Sequence, residues 1–239
     1  MEHVAMRRCV EVAAEGRTPS ALAPKNVADG VWQLPLRGVN AYALETAQGT
    51  VLVDAGNRGD GERILAMLRV VGLAPPGRIL LTHADMDHAG GVRAILQVTT
   101  GEVHASRLQA DVLAGHGRPP ALRRFGRLLT GRIACEPDLE EGARVAGLLV
   151  VATPGHTAGH VALLREDDRV VFAGDALAVR GAKVRILGAP LTEDFAQACA
   201  SLRRLAQLQP NLVLPGHGDP LPAPAHALEA ALRICESRR

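Results

Sequence analysis

The sequence predicts an α/β protein in which two sheets pack face to face with helices on the outside. Three observations carry that prediction. Apolar runs of strand length alternate with amphipathic helical stretches. The order is strands with helices, then strands again, then helices, which suits a layered sandwich. No Pro/Gly/Ser-rich linker divides the chain after residue 30, so 31–239 is expected to form one domain behind an N-terminal extension, 1–30. At 239 residues, 47% hydrophobic and 22% charged, the chain has the proportions of a globular protein with a sizeable core.

The first strands are read at VWQLPL (31–36), NAYALET (40–46) and TVLVDAG (50–56). GERILAMLRVVGL (61–73) follows as an amphipathic helix, with Ile64, Leu68 and Val71 at i, i+4 and i+7. RILLT (78–82) is the next strand, HAGGVRAILQV (88–98) one helix despite its early glycines, and EVHAS (102–106) a strand. After a less regular, Arg-rich stretch come the strands GLLVVATPG (147–155), HVALLRE (160–166) and RVVFAGDAL (169–177). TEDFAQACASLRRLAQL (192–208) is a helix capped by Thr192, with Phe195, Cys199, Leu202 and Ala206 as its buried stripe. NLVLPGHGDP (211–220) is a short strand and a turn, and Leu228, Leu232 and Cys235 mark a final helix.

Composition narrows the function classes. A net charge of +2 and only five aromatic residues give no electrostatic or stacking platform for nucleic acid, so no nucleic-acid partner is expected. No run reaches the ~18 apolar residues of a membrane span, and none is expected. The N-terminal stretch carries acids and lacks an apolar h-region, and the pair Arg7-Arg8 alone is too weak to argue for export. Cys9, Cys135, Cys199 and Cys235 form no CxxC pair; Cys199 and Cys235 are read as buried thiols on helix faces. A cytoplasmic, reducing location is the resulting expectation.

Ligand-type residues recur where apolar strands end beside Gly or Pro. Asp54 follows TVLV, the cluster HADMDH (83–88) follows RILL, His156 follows LLVVATPG, Asp175 follows RVVFAG, and His217 follows NLVLPG. Parallel strand ends share one sheet edge, where loops converge on a cleft. His83 and Asp85 are two apart on an extended loop and can point the same way. One metal ion could take His83, Asp85 and His156, a second Asp87, His88 and His217, with Asp175 bridging. Imidazole and carboxylate suit Zn²⁺, and also Fe or Mn. Two ions ~3.5–4 Å apart can share a hydroxide made available near neutral pH, because metal lowers the water pKa toward ~7.

The motifs THADMDHAGG, PGHTAGH, FAGDAL and LPGHGDP, in this order and spacing, resemble the metallo-β-lactamase superfamily from about residue 31 to the end of the chain. The resemblance implies a four-layer αβ/βα sandwich with a dinuclear site at one sheet edge, ligated by the residues just named. It also implies that Asp54 braces the metal loop, and that Asp87 orients the hydroxide and passes a proton to the leaving group. The chain departs from the commonest HxHxDH pattern, because Asp85 stands where the second histidine usually is. Asp175 stands where many true β-lactamases have Cys, so antibiotic hydrolysis is not the leading expectation.

Other histidines are read as structural: His160 as a hydrogen-bonding residue at its strand's start, His104 as a sheet histidine, and His3, His116 and His226 as solvated. In the Arg-rich stretch 117–132 a solvated cationic face is favoured; the sharper reading is a lid whose Arg123 and Arg124 recognise an anionic group of the substrate. The expected function is hydrolysis of a small-molecule ester, lactone, thioester or amide by metal-bound hydroxide. A phosphodiesterase or nuclease on the same site, a mononuclear iron oxygenase and a non-catalytic metal binder are the alternatives.

Overall fold

A computed structural model of the chain describes residues 22–117, 130–188 and 191–237. The strands are β1 (Lys25–Ala28), β2 (Val31–Pro35), β3 (Asn40–Thr46), β4 (Gly49–Val53), β5 (Arg78–Leu80) and β6 (Glu102–His104), which form one sheet in sequence order. The first four are antiparallel neighbours, and β4, β5 and β6 run parallel. The second sheet contains β7 (Arg144–Val145), β8 (Leu148–Ala152), β9 (Val161–Arg165), β10 (Val170–Gly174), β13 (Leu212–Pro215) and β14 (Leu221–Pro222), in the order β14-β13-β10-β9-β8-β7. A hairpin of β11 (Ala178–Arg180) and β12 (Lys183–Arg185) stands apart from both.

Alternation along each strand decides which face goes where. Val51 and Val53 of β4, Leu80 of β5, Val170 and Phe172 of β10 and Val150 of β8 meet between the sheets. Their neighbours Leu52 and Ile79 face outward on the first sheet, under α1 (Asp60–Val70), α2 (Met86–Ala89), α3 (Val92–Leu96) and α4 (Arg107–Ala114). Val151, Val171 and Val213 face outward on the second, under α5 (Phe195–Gln207) and α6 (Ala225–Ser237). Three apolar layers between four structural layers make the expected sandwich. Tyr42 joins the sheets: its hydroxyl donates to the Pro215 carbonyl at 2.8 Å, and its ring meets Phe172 edge-on at 5.7 Å.

Several local expectations are corrected. β1 pairs with β2, so the sheet begins inside the stretch assigned to the extension. Residues 88–98 are not one helix: α2 and α3 are separated at Gly90 and Gly91, and a Cβ at Gly91 would lie 2.1 Å from the Ala55 carbonyl oxygen. The backbones of two elements touch there, and only glycine permits it. Asp194 rather than Thr192 caps α5, accepting the Gln197 N–H at 2.9 Å. Cys199 and Cys235 are not thiols. They form a disulfide between α5 and α6, with Cα atoms 5.8 Å apart, and so lend no support to a reducing location. Among the described residues no helix is long and apolar enough to cross a membrane.

The remaining described cysteine, Cys135, has its thiol pushed up to about 12 by burial and by the Glu136 charge. Alkylation needs the thiolate. Peptide mapping after iodoacetamide at pH 8 should therefore find Cys135 labelled on the order of a thousandfold more slowly than a free cysteine. Labelling at the free rate would show an open, ionised thiol instead.

Candidate metal centre

All seven residues expected as ligands converge at the edge where β5, β8, β10 and β13 end. His83, His156 and Asp175 each offer a ligand atom within 4.8 Å of the others, and so do Asp87, His88 and His217. Asp85 lies beside the first group, with its Oδ2 3.2 Å from His156 Nε2 and 3.6 Å from His83 Nε2. Asp175 faces both groups: Oδ1 is 3.3 Å from His88 Nε2, and Oδ2 is 3.5 Å from His156 Nε2 and 3.2 Å from His217 Nε2. The His83 and His88 rings sit 4.1 Å apart, centre to centre.

Each supporting loop is fixed by the fold. The 82–88 loop joins the second sheet where the Val161 N–H donates to the Thr82 carbonyl at 3.0 Å. Asp54, 2% exposed, sits at φ 59°, a left-handed conformation that a non-glycine residue holds only when its surroundings require it. Its carboxylate accepts the Thr82 N–H at 2.9 Å and the Thr82 hydroxyl at 2.9 Å, and meets His88 Nδ1 at 2.8 Å. Thr82 Oγ1 is in turn 3.0 Å from His83 Nδ1. A hydroxyl donating to Asp54 accepts from His83, so both imidazoles carry their proton on Nδ1 and turn Nε2 inward. Asp54 thus holds an imidazole in each group, one directly and one through Thr82.

His217 is held by a turn that sequence reading passed over. Its Nδ1 donates to the Gly38 carbonyl at 2.6 Å, and Asn40 Nδ2 donates to the carbonyls of Pro215 and Gly218 at 3.1 and 2.7 Å. Gly216 leaves room for the centre, since a Cβ there would lie 2.4 Å from Asp175 Oδ1. His160 is structural, as expected. Its Nδ1 meets the Thr153 hydroxyl at 2.8 Å, and its Nε2 accepts the Asp175 N–H at 3.0 Å. Burial, then the nearby His83 and His156, keep it neutral, well below the usual histidine value. Gln109 was missed as well: its Oε1 accepts the Ala84 N–H at 2.8 Å and its Nε2 donates to Thr157 at 3.1 Å, tying two loops of the centre together. His104 pairs with Asp138 in the sheet, and His116 and His226 are exposed. Arg123 and Arg124 lie outside the described residues.

Without metal the electrostatics are those of a proton-filled cation site. Burial works against the charge on His88, but Asp175 and Asp54 raise its pKa well above the usual value. Burial opposes the His217 charge too, yet hydrogen bonds to Asp175 and Asp87 lift its pKa to about 10. Burial tends to raise Asp175, but His88 and His217 hold it well below the normal carboxylate range. The buried atoms without a hydrogen bond include three that face the centre: His83 Nε2, and His88 Nε2 and Asp175 Oδ1, which lie 3.3 Å apart. Buried polar atoms are rarely left so unless something else completes them. The donor set of imidazole nitrogen and carboxylate oxygen fits divalent Zn, Fe or Mn.

Those protons must leave when an ion enters. Calorimetry at pH 8 in buffers of different ionisation enthalpy should show at least one proton released on metal loading, because His217 is protonated below about 10. Affinity should accordingly rise with pH up to that value. A binding enthalpy indifferent to buffer would contradict this.

The sequence profile of the metallo-beta-lactamase superfamily matches residues 34–217. Bacillus subtilis protein YobT is 30% identical over 224 residues, covering 85% of this chain and 94% of its own. The atrochrysone carboxyl ACP thioesterase of Aspergillus fumigatus is 29% identical, with 78% of this chain matched but only 52% of the thioesterase spanned. The crystal structure of TTHA1623 in a di-iron-bound form superposes with a TM-score of 0.64 at 33% identity, covering 79% of this chain and 92% of that one.

Proposed function

The chain belongs to the metallo-β-lactamase superfamily, and from that premise we propose that it hydrolyses a small-molecule ester, thioester, lactone or amide at a two-ion centre held by His83, Asp85, Asp87, His88, His156, Asp175 and His217. The observation that carries this reading is the pairing of the two groups, His83/His156/Asp175 and Asp87/His88/His217, around one buried carboxylate that faces both. Ions bound there would supply an acidified water and a Lewis acid for the substrate carbonyl. The protein supplies the rest. Asp87 is the half-buried acid of the second group, its side chain 35% accessible and its Oδ2 3.4 Å from His217 Nε2. From that position it accepts a hydrogen bond from the attacking water and carries its proton to the leaving group. Thr82 and Asp54 keep the His83 and His88 rings from rotating away.

Among carbonyl substrates a thioester leads, on the similarity to a thioesterase. Iron is a specific candidate for the metal, on the di-iron form of TTHA1623. The deciding experiment is metal content of the purified protein by plasma mass spectrometry, joined to a hydrolysis screen of thioesters, lactones, β-lactams and phosphodiesters. The expected result is about two ions per chain and turnover of a thioester or lactone that chelation removes. Metal-free but active protein, or turnover of phosphodiesters alone, would overturn it. Asp87→Ala, assayed with excess metal because it also removes a ligand of the second group, should lower kcat by at least ~10²–10⁴-fold, the usual contribution of a positioned proton carrier.

A further inference from the structure

Asp85 occupies the position that caps α2, yet its side chain makes no capping hydrogen bond. An aspartate at a helix N-terminus ordinarily accepts from the first turn's N–H groups. Here the carboxylate turns toward His156 and His83 instead, at 3.2 and 3.6 Å. That makes the two halves of the centre chemically alike. One has two imidazoles, His83 and His156, with Asp85; the other has two imidazoles, His88 and His217, with Asp87. Asp175 faces both. The geometry matches across the halves: His156 Nε2 lies 3.2 Å from Asp85 and 3.5 Å from Asp175, and His217 Nε2 lies 3.4 Å from Asp87 and 3.2 Å from Asp175. Both halves also share one support, since Asp54 holds His88 directly and His83 through Thr82.

Resting on the reading that this centre holds metal, we propose that Asp85 shifts the metal selectivity of the centre away from zinc and toward iron or manganese, and lets the two halves take like ions. Two imidazoles and one carboxylate of its own in each half, beside the shared Asp175, is the kind of donor set found at non-haem iron sites, and carboxylate oxygen suits manganese. A histidine at position 85 would give one half three nitrogen donors, the composition that favours zinc. Asp85 also brings the ligand carboxylates to three, with Asp87 and Asp175, so the centre is more anionic and harder. Zinc keeps a general affinity advantage over manganese and ferrous iron at N/O sites. The role of Asp85 is to narrow that advantage through ligand type in the His83/His156 half, as Asp87 does in the other.

The test strips the protein with chelator, equilibrates it with mixtures of Zn²⁺ and Mn²⁺ at buffered free concentrations, and counts bound ions by plasma mass spectrometry. Wild type is expected to take up two ions per chain, and the manganese-to-zinc ratio should fall by about tenfold or more in Asp85→His, the scale on which ligand-sphere changes move metal affinity. Asp85→Asn, which keeps the size and removes the charge, should move the ratio in the same direction and serves if the histidine variant fails to fold. Mn²⁺-loaded wild type should give an exchange-coupled EPR spectrum of two like ions. A wild-type ratio in a variant that still holds two ions would overturn the role of Asp85 and leave the hydrolase reading intact. Failure of wild type to bind either ion would end both.

Discussion

Asp175→Ala is expected to leave no measurable hydrolysis, with kcat/KM reduced by roughly 10⁴-fold or more, and to drop metal content below two ions per chain. Asp175 faces both groups, and its two oxygens divide between them, Oδ1 toward His88 and Oδ2 toward His156 and His217. A second effect separates this variant from one that merely loses metal. In the metal-free protein the Asp175 carboxylate, 4% exposed, faces the two histidines whose pKa values are raised. Removing one partner of a buried ion pair leaves the other charge uncompensated, which costs about 3–5 kcal/mol. The sign follows from the shifts. Asp175 is held low, so the stability its charge contributes is present above about pH 4 and fades as pH falls through its depressed value. His217 is raised to about 10, so its contribution is complete below about pH 6.5 and lost as pH climbs toward 10. Metal-free wild type and variant should therefore differ most between about pH 4 and 6.5, measured by urea unfolding. Equal unfolding midpoints across that window would remove the electrostatic account of the centre.

The layered architecture was legible because each long strand carries its address in its own alternation. Val51, Leu52 and Val53 send two side chains between the sheets and one under the helices, and Val170, Val171 and Phe172 do the same in the second sheet. The centre was legible for a related reason. An apolar strand ending beside Gly or Pro in a His or Asp delivers a polar group to a sheet edge, and five such endings meet at one place. The irregular pieces left no comparable mark. β1 is four residues of mixed polarity, and the β11–β12 hairpin has three residues per strand, too few for a period to show.

What the sequence hid was chiefly long-range pairing. Cys199 and Cys235 are 36 residues apart with no spacing signature, and only the packing of α5 on α6 brings them together. Gly38 and Asn40 reach the His217 loop across more than 170 residues, and Gln109 reaches Thr157 across 48. Such supports are ordinary polar residues until the fold gives them a partner. The ligands announce themselves by type, whereas the groups that aim them do so only by position. Asp54 is the exception, because it lies at a strand end like the ligands themselves.

For that reason Asp54→Ala is the sharpest test of how the centre is held. It leaves every ligand in place and removes only the carboxylate behind them. His88 Nδ1 loses its acceptor at 2.8 Å, and Thr82 loses the partner at 2.9 Å that orients its hydroxyl toward His83. One imidazole in each half is then free to turn, so affinity for both ions should fall by ~10–100-fold, the usual effect of losing an outer hydrogen bond to a metal-binding histidine. Alanine is also strained at φ 59°, adding on the order of 1–2 kcal/mol of destabilisation. Two companions divide these causes. Asp54→Asn accommodates the left-handed backbone and keeps one acceptor oxygen, so it should lie between wild type and alanine. Thr82→Val interrupts only the branch to His83 and should weaken one ion while sparing the other. Competition against a chromophoric chelator resolves the two affinities. If Asp54→Ala binds both ions as tightly as wild type, the histidines are aimed by something other than this carboxylate.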